Sequence, residues 1–152
     1  MVTDHGPRGR AASLKRGFLI KRRHIMKWFK HDSNAVIRPK MKKLILKYGM
    51  EGYGLYWYCL EAIARGVDRN NLTFELEEDA EIISAGTGIH PDKVTEMMMT
   101  MIDIGLFQAA KTSGLITCLQ LVNMSDKYTE KIMREEKKTV EYSGNIKDYL
   151  AK

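Results

Sequence analysis

The chain has 152 residues, of which 44% are hydrophobic and 29% are charged, and it carries a formal net charge of +6 with a pI near 9.3. This composition is typical of a cytoplasmic globular domain, and no apolar run approaches the roughly 18 residues of a membrane helix, which excludes a membrane-spanning protein. The two cysteines, Cys59 and Cys118, lie far apart and outside any CxxC pattern. We therefore expect reduced, buried thiols and neither a disulfide framework nor a metal site.

The excess positive charge lies in the first 25 residues, which hold seven Lys/Arg and one acid, whereas residues 26–152 hold 18 bases and 18 acids. Three interpretations of this leader remain open. It is a basic arm for DNA or RNA, a tag or targeting segment, or a mis-assigned gene start. The third interpretation is based on Lys21-Arg22-Arg23, which can be encoded by a ribosome-binding sequence suitably spaced from Met26. We divide the chain into a disordered basic leader (1–25), a folded domain (26–122) and a C-terminal helix with a loose tail (123–152).

The first predicted helix runs from Pro39 to Tyr48 and stops at Gly49. Proline suits the first position of a helix, and glycine suits the position after its end. The apolar residues recur at helical spacing and are Met41, Leu44, Ile45 and Tyr48. A second face carries Lys40, Lys43 and Lys47, named here the lysine stripe, which is either a solvated helix face or a contact for DNA phosphates.

The second predicted helix, Glu51 to Ala64, is apolar almost all round, which indicates a central helix or one that also meets a partner chain. Its aromatic residues either stack on unpaired bases or pack in the core or at a dimer seam, and their helical spacing favours packing. The candidates for a partner or dimer interface are Tyr53, Tyr56 and Tyr58, together with Met99 from a later helix.

The rest of the chain predicts a strand, two helices, a hairpin and a final helix. A strand spans Leu72–Leu76, a short helix Glu77–Ala85, and a longer helix starts at Pro91 and stops at Gly105. The hairpin joins Leu106–Ala110 to Leu115–Leu121, and Ser125 is predicted to cap a polar helix from Asp126 to about Lys138. This order predicts a mainly α (α+β) winged helix-turn-helix with a two-stranded wing, in which Asp92–Asp103 is the recognition helix.

Short motifs between Lys27 and Ala64 carry a resemblance to a known family. They are Phe29-Lys30-His31-Asp32-Ser33, Pro39-Lys40, Lys47-Tyr48-Gly49 and Gly52-Tyr53-Gly54-Leu55-Tyr56-Trp57, with Ile104–Phe107 further on. Over roughly residues 26–121 the chain resembles the N-terminal winged-helix domain of prophage-encoded, DnaD-like replication (replisome organiser) proteins. The resemblance implies a module of phage or mobile-element DNA replication. The chain departs from the family pattern at two places. The family commonly has a helix-capping Asp at the position of Arg38. Many relatives carry a second domain, and we expect none after residue 138.

The charge pattern sets two functional classes against each other. Residues 49–105 hold three bases and eleven acids, and the predicted outer face of the recognition helix is mostly acidic, with Asp92, Lys93, Glu96, Thr100 and Asp103. Such a face is poorly suited to reading bases.

In the first class the chain binds DNA through phosphate contacts, with the candidate residues Lys40, Lys43, Lys47, Lys93, Thr100, Lys111 and Ser113. In the second class the acidic face makes the chain a protein-interaction or oligomerisation scaffold. We favour the first, with DNA, further copies of the chain and replication proteins as partners.

The sequence shows no nucleophile motif, phosphate loop or paired carboxylates, and its histidines fall singly. We therefore expect no enzymatic activity, no metal and no cofactor. We interpret His31 as a packing residue, Asp32 or Ser33 as a turn or cap group, and His90 as lying at the start of the recognition helix.

Overall fold

The computed structural model of the protein describes residues 25–142. A short 3-10 helix (Ala35–Ile37) precedes α1 (Pro39–Gly66), α2 (Ala80–Thr87) and α3 (Pro91–Ile104), and a hairpin of β1 (Gln108–Ala109) and β2 (Ile116–Thr117) leads to α4 (Leu119–Asn123) and α5 (Lys127–Tyr142). This described part is mostly helical with one small antiparallel sheet, which confirms the predicted mainly α, winged-helix-like fold. The predicted leader up to residue 24 and the tail from residue 143 lie outside the described residues.

Helix α1 bends at Gly49, the residue at which the first predicted helix stops. Gly49 has φ 65° and ψ −152°, a conformation that is strained for any residue with a Cβ. A Cβ added at Gly52 would lie 2.9 Å from the Cβ of Tyr48 and 3.2 Å from the Cγ of Leu44. The two glycines therefore let the first segment of α1 (39–48) fold closely against its second segment (50–66).

The second segment of α1 lies at the centre of the core, as its all-round apolar pattern predicted. Cys59 and Leu60 have no exposed surface, and the Sγ of Cys59 lies 3.8 Å from the Sδ of Met98 on α3. Cys59 and Cys118 are free and buried, as predicted, and burial raises the pKa of the Cys59 thiol to about 12. The core stripe of α3 buries Val94, Met97, Met98 and Met101.

The predicted strand Leu72–Leu76 is not formed as a strand. Phe74 has φ 55°, which breaks the extended backbone, and a single bridge joins Glu75 to Thr117. Two hydrogen bonds still hold this segment to the hairpin: the Leu76 N–H donates to the Ile116 oxygen over 2.7 Å, and the Thr117 hydroxyl donates to the Phe74 oxygen over 2.7 Å. The segment thus packs along the hairpin without completing a third strand.

The predicted hairpin is confirmed, but its two strands are shorter than the predicted Leu106–Ala110 and Leu115–Leu121. Gln108 pairs with Thr117 and Ala109 pairs with Ile116, after which the chain turns into α4. The Leu119 N–H donates to the side-chain oxygen of Gln108 over 3.1 Å. The apolar residues after Thr117 therefore belong to a short helix.

Two helix starts differ from the prediction because another side chain serves as the cap. Asp79 caps α2 by accepting from the Ile82 N–H over 2.9 Å, so this helix begins at Ala80 instead of Glu77. Asp126 caps α5 by accepting from the Thr129 N–H over 2.7 Å, whereas the predicted cap, Ser125, donates its hydroxyl to the Leu121 oxygen over 3.3 Å. Helix α5 continues to Tyr142, beyond its predicted end at about Lys138.

The first described residues pack against the domain. Ile25 is buried and donates its N–H to the Val67 oxygen over 2.9 Å. The Lys30 N–H donates to the Met124 oxygen over 2.8 Å, and the Lys27 N–H donates to the Asp126 carboxylate over 3.2 Å. This segment therefore joins the end of α4 to the start of α5.

Candidate nucleic-acid interface

The lysine stripe lies on the solvent face of the first segment of α1, because Met41 and Leu44 turn the opposite face into the core. The side chains of Lys43 and of its neighbour Lys42 are exposed and have no hydrogen bond or ion pair within residues 25–142. The Nζ of Lys47 lies 5.3 Å from the centre of the Tyr48 ring. The Nζ of Lys40 donates to the Gly105 oxygen over 3.3 Å, so this lysine reaches the end of α3.

The start of α1 lacks a side-chain cap, as Arg38 in the capping position predicted. The Nε of Arg38 instead donates to the Asp32 carboxylate over 2.8 Å, and the Asn34 N–H donates to the same side chain over 2.9 Å. These contacts from Asn34 and Arg38 lower the pKa of Asp32. The interpretation of Asp32 as a turn group is confirmed, and its charge neutralises Arg38 beside the lysine stripe.

The recognition helix α3 presents the acidic face that the sequence predicts. His90 caps it by accepting from the Asp92 N–H at Nδ1 over 3.2 Å, and Gly105 ends it with φ 90°. Within α3 the exposed polar positions include Asp92, Lys93, Glu96 and Asp103, whereas Thr100 is half-buried. A face with three acids and one base repels DNA phosphates.

Two of the predicted DNA-binding residues on α3 are instead engaged with α1. The Nζ of Lys93 lies 2.7 Å from the Oε1 of Glu51, and this carboxylate raises the pKa of Lys93. The hydroxyl of Thr100 lies 2.9 Å from the Tyr48 hydroxyl and also donates to the Glu96 oxygen over 3.1 Å. Lys93 and Thr100 therefore join α3 to α1.

The wing offers one free cation among the residues proposed to bind DNA. Lys111 is exposed and has no hydrogen bond or ion pair within the described part of the chain. Ser113 closes the turn: its hydroxyl donates to Glu75 over 3.0 Å and accepts from the Leu115 N–H over 3.2 Å. Lys111 therefore remains a candidate contact for a phosphate, whereas Ser113 has a role in the turn itself.

The predicted interface residues do not form one exposed surface. Tyr56 is only 2% exposed and stacks on Phe107 with ring centres 5.3 Å apart, so it belongs to the core. Tyr53 and Tyr58 are half-buried, and the Tyr58 hydroxyl donates to Glu78 over 2.9 Å. Met99, at 57% exposed, is the member of the set that lies open on the surface.

The structure also forms a cavity of about 510 Å³ between the start of α1, its second segment and α4, which the sequence analysis did not predict. Its apolar lining includes Met41, Tyr56, Trp57 and Leu106. In the sequence, the cavity was indicated only by the run of aromatic residues in the second predicted helix. The residues that complete the cavity lie too far along the chain for a local pattern to bring them together.

Trp57 is the centre of the aromatic cluster beside this cavity. The His31 ring stacks on it with centres 3.7 Å apart and planes at 15°, which confirms His31 as a packing residue. Phe29 lies parallel to Trp57 at 6.2 Å. The Nε1 of Trp57 is buried and has no hydrogen-bond partner among the described residues.

The described residues contain no cluster of three His, Cys, Asp or Glu side chains that could hold a metal ion. Within the same part of the chain, none of the helices has the length and apolar character required to cross a bilayer.

Comparison with protein families gives a match over residues 28–121 to the family described as Lin1244/Lin1753-like, N-terminal. The matched range begins in the segment that docks on α5 and ends within α4, so it includes the bent α1, the recognition helix and the wing. Neither the comparison with curated proteins nor the comparison with solved structures gives a significant match.

Proposed function

We propose, from the premise that the chain belongs to the Lin1244/Lin1753-like, N-terminal family, that it is a winged-helix module of a phage or mobile-element DNA replication protein of DnaD-like type. In this proposal it binds DNA by phosphate contacts, associates with further copies of itself and with replication proteins, and has no catalytic role. The observation that carries the proposal is the exposed lysine face of the first segment of α1, on which Lys42 and Lys43 have no partner within residues 25–142.

Charge placement supports docking by α1 in preference to insertion of α3 into the major groove. Lysines on one helical face neutralise phosphates and release counterions, a contribution that does not depend on base sequence. The exposed acids of α3 oppose its approach to DNA, and its Lys93 is paired with Glu51. We therefore propose binding with little sequence preference and a steep dependence on salt, with Lys111 of the wing as a second point of contact.

The test is the affinity for a short DNA duplex measured against salt concentration, for the full chain and for two charge reversals. Lys43→Glu removes a stripe contact, whereas Lys137→Glu changes the net charge equally at an exposed position on α5. We expect Lys43→Glu to weaken binding and to lower the slope of log affinity against log salt by about 1, with little effect of Lys137→Glu. Equal effects of the two variants, or no binding by the full chain, would contradict the proposal.

A second candidate function is a protein-interaction or oligomerisation scaffold. It is favoured by Met99, which is 57% exposed on the face of α3 that also exposes Glu96 and Asp103. If the chain binds no DNA, sedimentation of the wild type and of Met99→Glu decides this alternative. A wild-type oligomer that Met99→Glu dissociates supports it, and identical sedimentation of the two proteins opposes it.

A further inference from the structure

An apolar groove lies between the start of α2, α3 and the wing. Its lining includes Ile83 of α2, Met99 and Ile102 of α3, and Leu115 of the wing. Ile83 is buried at its floor, whereas Met99 and Leu115 are 57% and 42% exposed. Its volume of about 250 Å³ is below the roughly 300–1,000 Å³ of small-molecule pockets. The groove therefore suits an apolar side chain on a helix of a protein partner.

The border of this groove is acidic. Glu78 lines it and also forms an ion pair with Arg65, with the charged groups 3.6 Å apart. Within residues 25–142 the lining includes no lysine or arginine. On α3, Glu96 and Asp103 are exposed and lie three residues before and four residues after Met99, so all three side chains share one side of the helix. The groove thus combines open apolar surface with negative charge.

The first segment of α1 carries the opposite pattern. Leu46 is 87% exposed, more than any other large apolar side chain among the described residues. Lys42 and Lys43 lie four and three residues before it, so the two ammonium groups flank it on the solvent face. Met50, just beyond the bend, is 60% exposed. This face, named here the Leu46 face, combines open apolar surface with positive charge.

Helix α3 separates the two surfaces. Lys93 and Thr100 contact α1, whereas Thr95 and Ile102, each two positions further on, line the groove. Two positions correspond to about 200° around a helix, so the groove lies on the side of α3 that faces away from α1. The Leu46 face and the groove therefore do not meet within one chain. They meet only between copies, and such a contact joins two unlike surfaces.

We propose that the Leu46 face of one copy docks in the groove of the next copy, with Leu46 beside Met99 and with Lys42 and Lys43 against the acids of α3. Burial of Leu46 favours the contact, and the opposite charges orient it. The inference rests on the self-association in the proposed function and assigns the surfaces that make it. Because Lys43 also belongs to the lysine stripe, DNA and the next copy compete for it.

The test is sedimentation velocity of the full chain over a range of protein concentrations. Leu46→Glu places an acid on the Leu46 face, and Met99→Lys places a base at the groove. Both side chains are more than half exposed, so neither change disturbs the core. Leu119→Glu and Leu119→Lys make the same changes on α4, at a position that is 60% exposed and outside the groove lining, and they are the matched controls.

We expect the wild type and both controls to form species larger than a monomer as the concentration rises. Leu46→Glu and Met99→Lys should each weaken association by about tenfold, because each removes an apolar contact and sets like charges against each other. An equimolar mixture of the two variants should regain association. The groove of Leu46→Glu and the Leu46 face of Met99→Lys are both intact, and this pair makes one wild-type contact.

The outcomes separate this inference from the proposed function. A wild type that associates, with variants that associate equally well or a mixture that stays monomeric, overturns the head-to-tail contact and leaves self-association by another surface. A loss that the controls share overturns the contact as well. A wild type that is monomeric at every concentration overturns both the contact and the self-association. Duplex binding is measured at a concentration at which the wild type is monomeric, so the DNA proposal stands or falls independently of these results.

Discussion

The ammonium group of Lys93 on α3 lies 2.7 Å from the carboxylate of Glu51, just beyond the bend of α1. This pair neutralises the one lysine of the recognition helix and directs it toward α1. The Tyr48 and Thr100 hydroxyls, 2.9 Å apart, make a second link between the same two helices. The polar side of the recognition helix is therefore partly used within the domain, which is why the proposed DNA contact is placed on the lysine stripe.

We expect Glu51→Gln to lower the free energy of unfolding only slightly, because both partners are roughly half exposed and solvent screens the pair. DNA affinity should change less than twofold, since Lys93 is not a main contact in the proposal. Urea unfolding and the duplex titration measure the two quantities. Glu81→Gln, which removes an exposed acid from α2, is the control, and a tenfold gain in affinity specific to Glu51→Gln would place DNA on α3 after all.

We predict opposite effects on stability for alanine substitutions at two glycines near the bend of α1, Gly52 and Gly54. At Gly52 a new Cβ meets the Tyr48 Cβ at 2.9 Å, so Gly52→Ala should cost about 1–3 kcal/mol by overpacking. At Gly54 an added Cβ meets nothing within 4 Å, so Gly54→Ala should stabilise the helix by about 0.5–1 kcal/mol. Chemical unfolding of both variants checks this. Equal effects of the two substitutions on stability would mean that α1 is not closely packed at its bend.

Asp126 should make the stability of the domain depend on pH in the acid range. Burial raises its pKa, but N–H groups of Thr129, Lys27 and Trp28 that donate to the carboxylate outweigh this, and the pKa is lowered from its ordinary value of 3.8. A lowered pKa in the folded state gives stability that is present above 3.8 and is lost as the pH falls through the folded-state value.

We therefore expect Asp126→Ala to lower the free energy of unfolding at pH 7 by about 1–3 kcal/mol and to flatten the decline of stability below pH 4. Unfolding by urea at several pH values measures both. Asp103→Ala is the control, because Asp103 is exposed and has no side-chain partner within residues 25–142. An unchanged pH profile in Asp126→Ala would show that other groups determine the acid response.

Substitutions at Gly86 and Tyr58 should be coupled in their effects on the free energy of unfolding. A Cβ added at Gly86 would lie 2.5 Å from the Tyr58 hydroxyl oxygen but 3.1 Å from the ring carbon that carries it. Gly86→Ala should therefore destabilise the wild type by about 1 kcal/mol more than it destabilises Tyr58→Phe, which lacks the hydroxyl. A double-mutant cycle of unfolding free energies measures this coupling. Additive effects would indicate that the Tyr58 ring moves aside without cost.

The positions of the helices in the folded domain could be predicted in large part from local residues. Pro39 and Pro91 mark helix starts. Gly49 marks the bend of α1 and Gly105 the end of α3, and both adopt backbone conformations that other residues avoid. Val94, Met97, Met98 and Met101 recur at helical spacing, and all four are buried on one face of α3. These signals suffice because they act within one or two turns of chain.

The elements that were predicted wrongly depend on contacts from elsewhere. The alternating pattern of residues 72–76 does not distinguish a paired strand from a segment that lies along a hairpin. In the folded domain Phe74 has φ 55°, which interrupts the extended backbone. Ser125 and Asp126 are both good caps by type. Asp126 serves because its carboxylate also accepts from the Lys27 N–H, almost a hundred residues earlier in the chain.

The sequence by itself determined the order of the helices, the interruption of helical structure at Gly49, the acidic character of α3 and the basic character of the first segment of α1. These follow from backbone preference and from the count of charges on each helical face. Only the tertiary structure decided that Lys93 and Thr100 are engaged by α1, that Tyr56 lies in the core, and that a cavity opens beside the lysine stripe. Such features arise when side chains distant in the chain pack together, and no local spacing encodes the distance between them.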